Sequence, residues 1–244
     1  ENWRYFNLQD LKAKLDQTKS VQNDFLISHT GEIGPHLKID GKSISLNKKL
    51  PEGIFIDIVN PKDFDSLDIN IKKSIGKIAK IDSDYFILEN TQKFSQLILI
   101  KVKENYMVEP NLELDINVSK KIALNLRFFI YSGKESGSSI QINWNNNFGS
   151  INSVFEFYLD KKSNMNLVIT NNGENAVDIL NYSFQIKEKS NLKTTFISLG
   201  KQILKNDIRI DLAGEKAKAD IGGLYLAKPN SNTDYNIIIN HLSK

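Results

Sequence analysis

The chain has 244 residues, 40% of them apolar and 25% charged, so it can bury a substantial core and carries no compositional mark of wholesale disorder. Its 32 basic and 29 acidic side chains are interspersed, and a net charge of +3 with no sustained basic stripe argues against nucleic acid as a partner. Cysteine is absent, which removes disulfides, thiolate nucleophiles and thiolate metal ligands and fits a reducing compartment.

In chain order, Trp3, Tyr5 and Phe6 lead into Leu8, Leu11 and Leu15 at helical spacing behind Asn7, which predicts a short amphipathic helix. From Ile27 to Asn60, Gly31, Gly34, Pro35 and Gly41 punctuate alternating segments such as His36–Asp40 and Lys42–Leu46, the pattern of short strands. Leu50-Pro51-Glu52-Gly53 reads as a turn into a strand over Ile54–Val59. Pro61 then opens a stretch in which Phe64, Leu67, Ile71, Ile75 and Ile78 recur at helical spacing. That predicts a helix or helix pair to about Lys80, seated on the end of the β body as a cap. Asp63, Asp65 and Asp68 lack the glycine turn and terminal glutamate of a calcium loop and fit a helix first turn.

From Tyr85 onward nearly everything reads as strand and turn, with strands over Leu97–Val102, Leu112–Val118, Ile122–Tyr131, Ile140–Ile142, Ile151–Leu159, Asn166–Thr170, Ala176–Ile186 and Thr194–Leu199. No apolar run approaches the roughly 20 residues that span a bilayer, since Leu97–Ile100 stops at Lys101. Within this half a short pattern recurs. Lys162-Ser163-Asn164-Met165 returns as Lys189-Ser190-Asn191-Leu192, a period of 27 residues, with Ser136 one step before and Ala219 one step after. A period in that range signals units that stack on their neighbours, and the two-residue alternation inside each unit makes them β. The expected fold is mainly β, a parallel β-helix of about five rungs over residues 81–244, with a helical and short-strand cap region over residues 1–80.

Sites are less legible. His29, His36 and His241 form no spaced ligand set, and His241 with Asp234 and Asp220 is the strongest metal candidate among weak ones. Trp144, flanked by Asn143, Asn145 and Asn146, reads as a loop aromatic, either a contact residue or a loop anchor. Gly222-Gly223 is followed by no Gly-Lys-Ser/Thr, so it reads as a strand bend or bulge and not as a phosphate loop. No carboxylate pair stands out for glycoside hydrolysis, so no catalytic residue is assigned.

Several stretches resemble the SufB/SufD family of iron–sulfur cluster assembly scaffolds. Leu212-Ala213-Gly214-Glu215-Lys216-Ala217-Lys218-Ala219 and Gly222-Gly223-Leu224-Tyr225 are similar to the family's, and Glu1-Asn2-Trp3-Arg4-Tyr5 resembles its early acidic-x-Trp-basic-Tyr stretch. Leu50-Pro51-Glu52-Gly53-Ile54, Phe86-Ile87-Leu88-Glu89-Asn90-Thr91 and Val108-Glu109-Pro110 follow in the family's order. Asp234–His241 resembles its segment of Asp-His pairs, with Tyr235 where histidine is common. The early Trp-Tyr stretch and the missing cysteine favour the SufD-like branch.

The resemblance implies a right-handed parallel β-helix and a non-catalytic scaffold subunit that supports cluster assembly or iron entry. It implies a SufB-like paralogue and a SufC-like ABC-type ATPase as partners, no cofactor held by this chain alone, and an iron–sulfur cluster only at the level of the complex. The implied location is cytoplasmic or a plastid-type organelle, with no membrane or nucleic acid partner. Family members continue with further rungs and a helical tail that docks the ATPase, so the β-helix is expected to be incomplete at Lys244 and to aggregate or need a partner. The alternative is a carbohydrate-binding or carbohydrate-processing β-helix protein.

Overall fold

The computed structural model describes residues 9, 19–20, 26–33, 36–67, 69–118, 120–200 and 203–243. The expected helix through Leu8, Leu11 and Leu15 lies outside the described residues. Short strands come first: β1 (Lys19–Ser20), β2 (Leu26–Ile33), β3 (His36–Asp40), β4 (Ser43–Lys49), β5 (Ile54–Val59) and β6 (Gln96–Val102). Next come β7 (Leu112–Val118), β8 (Ile122–Ser132), β9 (Gly137–Asn146), β10 (Ser150–Leu159) and β11 (Asn164–Asn172). The last are β12 (Val177–Ile186), β13 (Asn191–Leu199), β14 (Ile203–Leu212), β15 (Lys218–Leu226) and β16 (Asn232–His241).

From β7 on, successive strands alternate between two sheets, each strand pairing in parallel with the one two places later. One sheet runs β16-β14-β12-β10-β8-β6-β5 and the other β15-β13-β11-β9-β7-β3-β4-β2. This is a parallel β-helix of about five rungs. At its first end, β5 pairs antiparallel with β6 and β3 antiparallel with β4.

The recurring Lys-Ser-Asn sequence is the corner between the sheets. Glu135, Lys162, Lys189 and Lys216 all sit in the left-handed region, at φ of 55°, 58°, 57° and 59°. The next residue closes each turn: Ser136, Ser163, Ser190 and Ala217 donate their amides to the carbonyls of Gly133, Asp160, Lys187 and Gly214 at 3.1–3.2 Å. The corners also stack, since the amides of Glu135, Lys162 and Lys189 donate to Lys161, Glu188 and Glu215 in the next corner at 2.8–2.9 Å. The serines are buried, and Ser190 Oγ donates to Asp160 O at 2.5 Å. Lys162 Nζ reaches Glu135 across 27 residues at 2.7 Å, but both side chains are solvated and such a pair adds little.

In-register stacking sets like on like inside the body. Phe128 lies over Phe155 at 4.1 Å between ring centroids and Phe157 over Phe184 at 4.4 Å, close to the spacing of neighbouring strands. Leu, Ile and Val rows from both sheets fill the remainder of one continuous core.

Three readings of the sequence need correction here. Residues Tyr85–Lys93 are an α-helix and not a strand; Asp84 caps it by accepting from the Phe86 amide at 2.7 Å, and it buries Phe86, Ile87 and Asn90. A short apolar run, Phe86-Ile87-Leu88, does not by itself distinguish helix from strand, and the cap decides here. The stretch after Pro61 forms a 3-10 turn (Pro61–Ser66) and a short helix (Ile69–Ser74), followed by turns to residue 82. Its periodic apolar residues do share a face: Phe64, Leu67, Ile71, Ile75 and Ile78 pack on Leu97, Leu99 and Phe129. These three are on the outer face of the β6–β8 sheet, so the segment straps the flank of the solenoid and does not cover its end. Gly222 and Gly223 pair in register with Thr195 and Phe196 with no bulge.

Candidate functional site

Among the described residues each sheet has two edge strands, β5 and β16 in one and β2 and β15 in the other. β15 pairs only with β13 and β16 only with β14, so the far edge of each presents a row of amides and carbonyls, the geometry that templates another strand. Apolar side chains accompany both edges. Ile237 and Ile239 stand beside Ile208 and Ile210 in register, yet are 47% and 45% exposed where those two are buried. Tyr225 continues the aromatic column and Leu224 and Leu226 flank it, all three more than half exposed.

His241 and Asp234 lie on the same strand, β16, but seven positions apart, about 23 Å at the rise of an extended chain. His241 and Asp220 line one open hollow of about 530 Å³ together with Met165, Leu192, Leu212 and Ala219. Asp234 instead belongs to a charged group on the outer face of the other sheet. There the fully buried Lys205 Nζ bonds the Asp207 carboxylate and lies 3.8 Å from Asp234. Burial pushes the Asp234 carboxyl above its ordinary range, and Asp207 adds to that shift while Lys205 opposes it. Asp84, the helix cap, is raised for the same first cause, burial, with repulsion from Asp207 next. Among the described residues no three His, Asp or Glu side chains gather as a metal site, and the structure places His241 and Asp234 apart along β16.

Trp144 is not a loop aromatic. It sits inside β9, wholly buried, with Nε1–H donating to Tyr182 Oη at 2.9 Å. A sugar-binding groove thereby loses its candidate aromatic. His36 bonds Asp115 at 2.9 Å, Asp115 accepts from Asn143 at 2.7 Å, and Asn143 accepts from Thr170 at 2.8 Å, a polar ladder along the outer face of β3, β7, β9 and β11. The side chain of His29 lies outside the described residues.

Sequence reasoning missed the buried charges on the strapped face. Arg127 and Glu156 point away from the core on β8 and β10, yet both are fully buried beneath the helical segment, with Arg127 Nη2 to Glu156 Oε1 at 2.6 Å. Arg127 also donates to Thr91 Oγ1 at 2.8 Å, and Asn90 Nδ2 donates to the Leu126 and Asn152 carbonyls. Asn90 and Thr91, singled out above only for resemblance, are the helix's polar attachment to the sheet.

No curated protein matches the chain. Residues 116–244, the five-rung part of the solenoid, match the family described as SUF system FeS cluster assembly, SufBD core domain. The match covers more than half of the 244 residues and agrees with the parallel β-helix. The chain therefore belongs to the SufBD core domain family and has its role in iron–sulfur cluster assembly.

Proposed function

We propose that the chain is a non-catalytic, SufD-like scaffold subunit that pairs with a SufB-like paralogue and acts in a complex with a SufC-like ABC-type ATPase. The cluster and ATP hydrolysis belong to the assembled complex and its partners, in a cytoplasmic or plastid-type compartment. The observation that carries this reading is the family match over residues 116–244, which coincides with rungs of a parallel β-helix stacked in register. The test is co-expression of the chain with the paralogous β-helix protein and the ATPase of its own genome, followed by tagged purification and sizing. A stoichiometric complex containing the paralogue is expected; recovery of the chain alone under every pairing overturns the scaffold assignment.

A further inference from the structure

The turn that leads from the short helix to the capped helix closes around a carboxylate. Gly76, in the left-handed region at φ 78°, donates its amide to both oxygens of Glu156 at 2.9 Å. Ile78 and Ala79 donate theirs to Oε2 at 3.2 and 3.1 Å. Arg127 completes the ring, with Nε at 3.1 Å and Nη2 at 2.6 Å from Oε1. Three convergent main-chain N–H groups around a left-handed glycine make a concavity that binds anions, and a guanidinium fork beside it matches any planar or tetrahedral oxyanion. Glu156 is fully buried, and its own strand, β10, lies in the other wall of the site, 77–80 residues away in sequence.

From this geometry we infer that residues 76–79 with Arg127 form an oxyanion nest whose resident ligand is the Glu156 carboxylate, and that its occupancy decides whether residues 75–93 lie on the sheet. The apolar contacts of this part of the strap are Phe86, fully buried, Ala79 and Ile87 on Val154, and Ile75 and Ile78 on the β6–β8 face, beside the polar attachment through Asn90 and Thr91. Against them stand the half-buried amide of Gly76, the buried amides of Ile78 and Ala79 and a buried guanidinium, all of which lose an acceptor when the carboxylate is gone. An empty nest therefore opens to water and lifts the strap, whereas a small free oxyanion of the right shape refills it. Glu156 is a positioning residue in this scheme, and the ligand class is carboxylate or inorganic oxyanion.

The experiment is amide hydrogen exchange on the full chain carrying Glu156→Ala or Glu156→Gln, with 75–93 compared against β12. Glu156→Ala is expected to speed exchange in 75–93 by roughly ten-fold or more while β12 is unchanged. Acetate or inorganic phosphate should restore protection saturably, and sodium chloride at equal ionic strength should not. Glu156→Gln fills the space but turns an N–H group toward donors, so it should lose protection and gain nothing from acetate. Protection of 75–93 in Glu156→Ala without added anion, restoration by chloride as well as by acetate, or no restoration by either oxyanion overturns the inference. If the alanine variant is too unstable to isolate, the glutamine variant decides. Wild-type exchange of 75–93 in it overturns the nest, and selective loss there supports it.

Discussion

The indole of Trp144 and the phenol of Tyr182 lie in the core with one hydrogen bond between them, at 2.9 Å. Tyr182→Phe leaves the indole N–H without this acceptor, which costs about 1–3 kcal/mol, and Trp144→Phe removes the donor and also leaves unfilled volume. The double variant should recover about 1 kcal/mol relative to the sum of the singles, measured as a coupling in urea unfolding. Additive losses would show that the pair contributes packing alone. Asp84 gives a pH test. Its folded pKa is raised above the ordinary value of 3.8, chiefly by burial, so the native state binds protons more tightly than the unfolded state. The stability this contributes is complete below pH 3.8 and is lost as pH rises through the folded value. Asp84→Asn keeps a good cap for the Phe86 amide while removing the charge that burial and Asp207 disfavour. Its urea midpoint should exceed that of the parent at pH 7 and match it at about pH 3; the reverse order would contradict the raised pKa. Neither Trp144 nor Glu156 could be placed from sequence. Asparagines on either side gave Trp144 the look of a loop, and Phe155-Glu156-Phe157 states which side of a strand faces outward without stating that another segment covers that side.

Elements repeat here because the corners do. Each corner needs one residue in the left-handed region and one small buried residue after it, and Lys-Ser supplies them twice at the spacing visible in the sequence. The same corners hold the close approaches. A Cβ on Gly214 would lie 2.0 Å from the Glu188 amide nitrogen in the corner below, and main chain cannot step aside. Gly214→Ala should therefore cost about 3 kcal/mol, read from the urea midpoint. Gly222 has only Thr195 Oγ1 within reach, at 3.8 Å, so Gly222→Ala should be neutral or stabilise by about 0.5 kcal/mol through the unfolded chain. Equal costs at the two glycines would mean that corner stacking is looser than these distances. Strands such as β7 and β10 were legible because alternation, β-branched residues and turn residues agreed. The helix Tyr85–Lys93 was not, because its buried set of Phe86, Ile87 and Asn90 includes a polar residue whose partners, the Leu126 and Asn152 carbonyls, come from strands 36 and 62 residues away.

At the scale of the molecule, a stack of rungs is stabilised by nearest-neighbour interfaces, so a rung with one neighbour is held less firmly than a rung with two. Amides of β16 should exchange faster than those of β12, which has β10 and β14 on its flanks. Binding of a paralogue along β16 should reverse that order by protecting its amides. The side chains that meet such a strand are Ile237 and Ile239, which continue the buried rows of Ile208 and Ile210. Lysine at either position leaves the described rungs intact, because both side chains are about half exposed already, yet it sets an unpaired charge against an apolar row in the complex. Ile237→Lys and Ile239→Lys should each weaken pairing with the paralogue by ten-fold or more, about 1.4 kcal/mol. The circular dichroism and melting temperature of the isolated chain should stay unchanged. Unimpaired pairing by both variants would move the contact away from the β16 edge and onto another face of the solenoid.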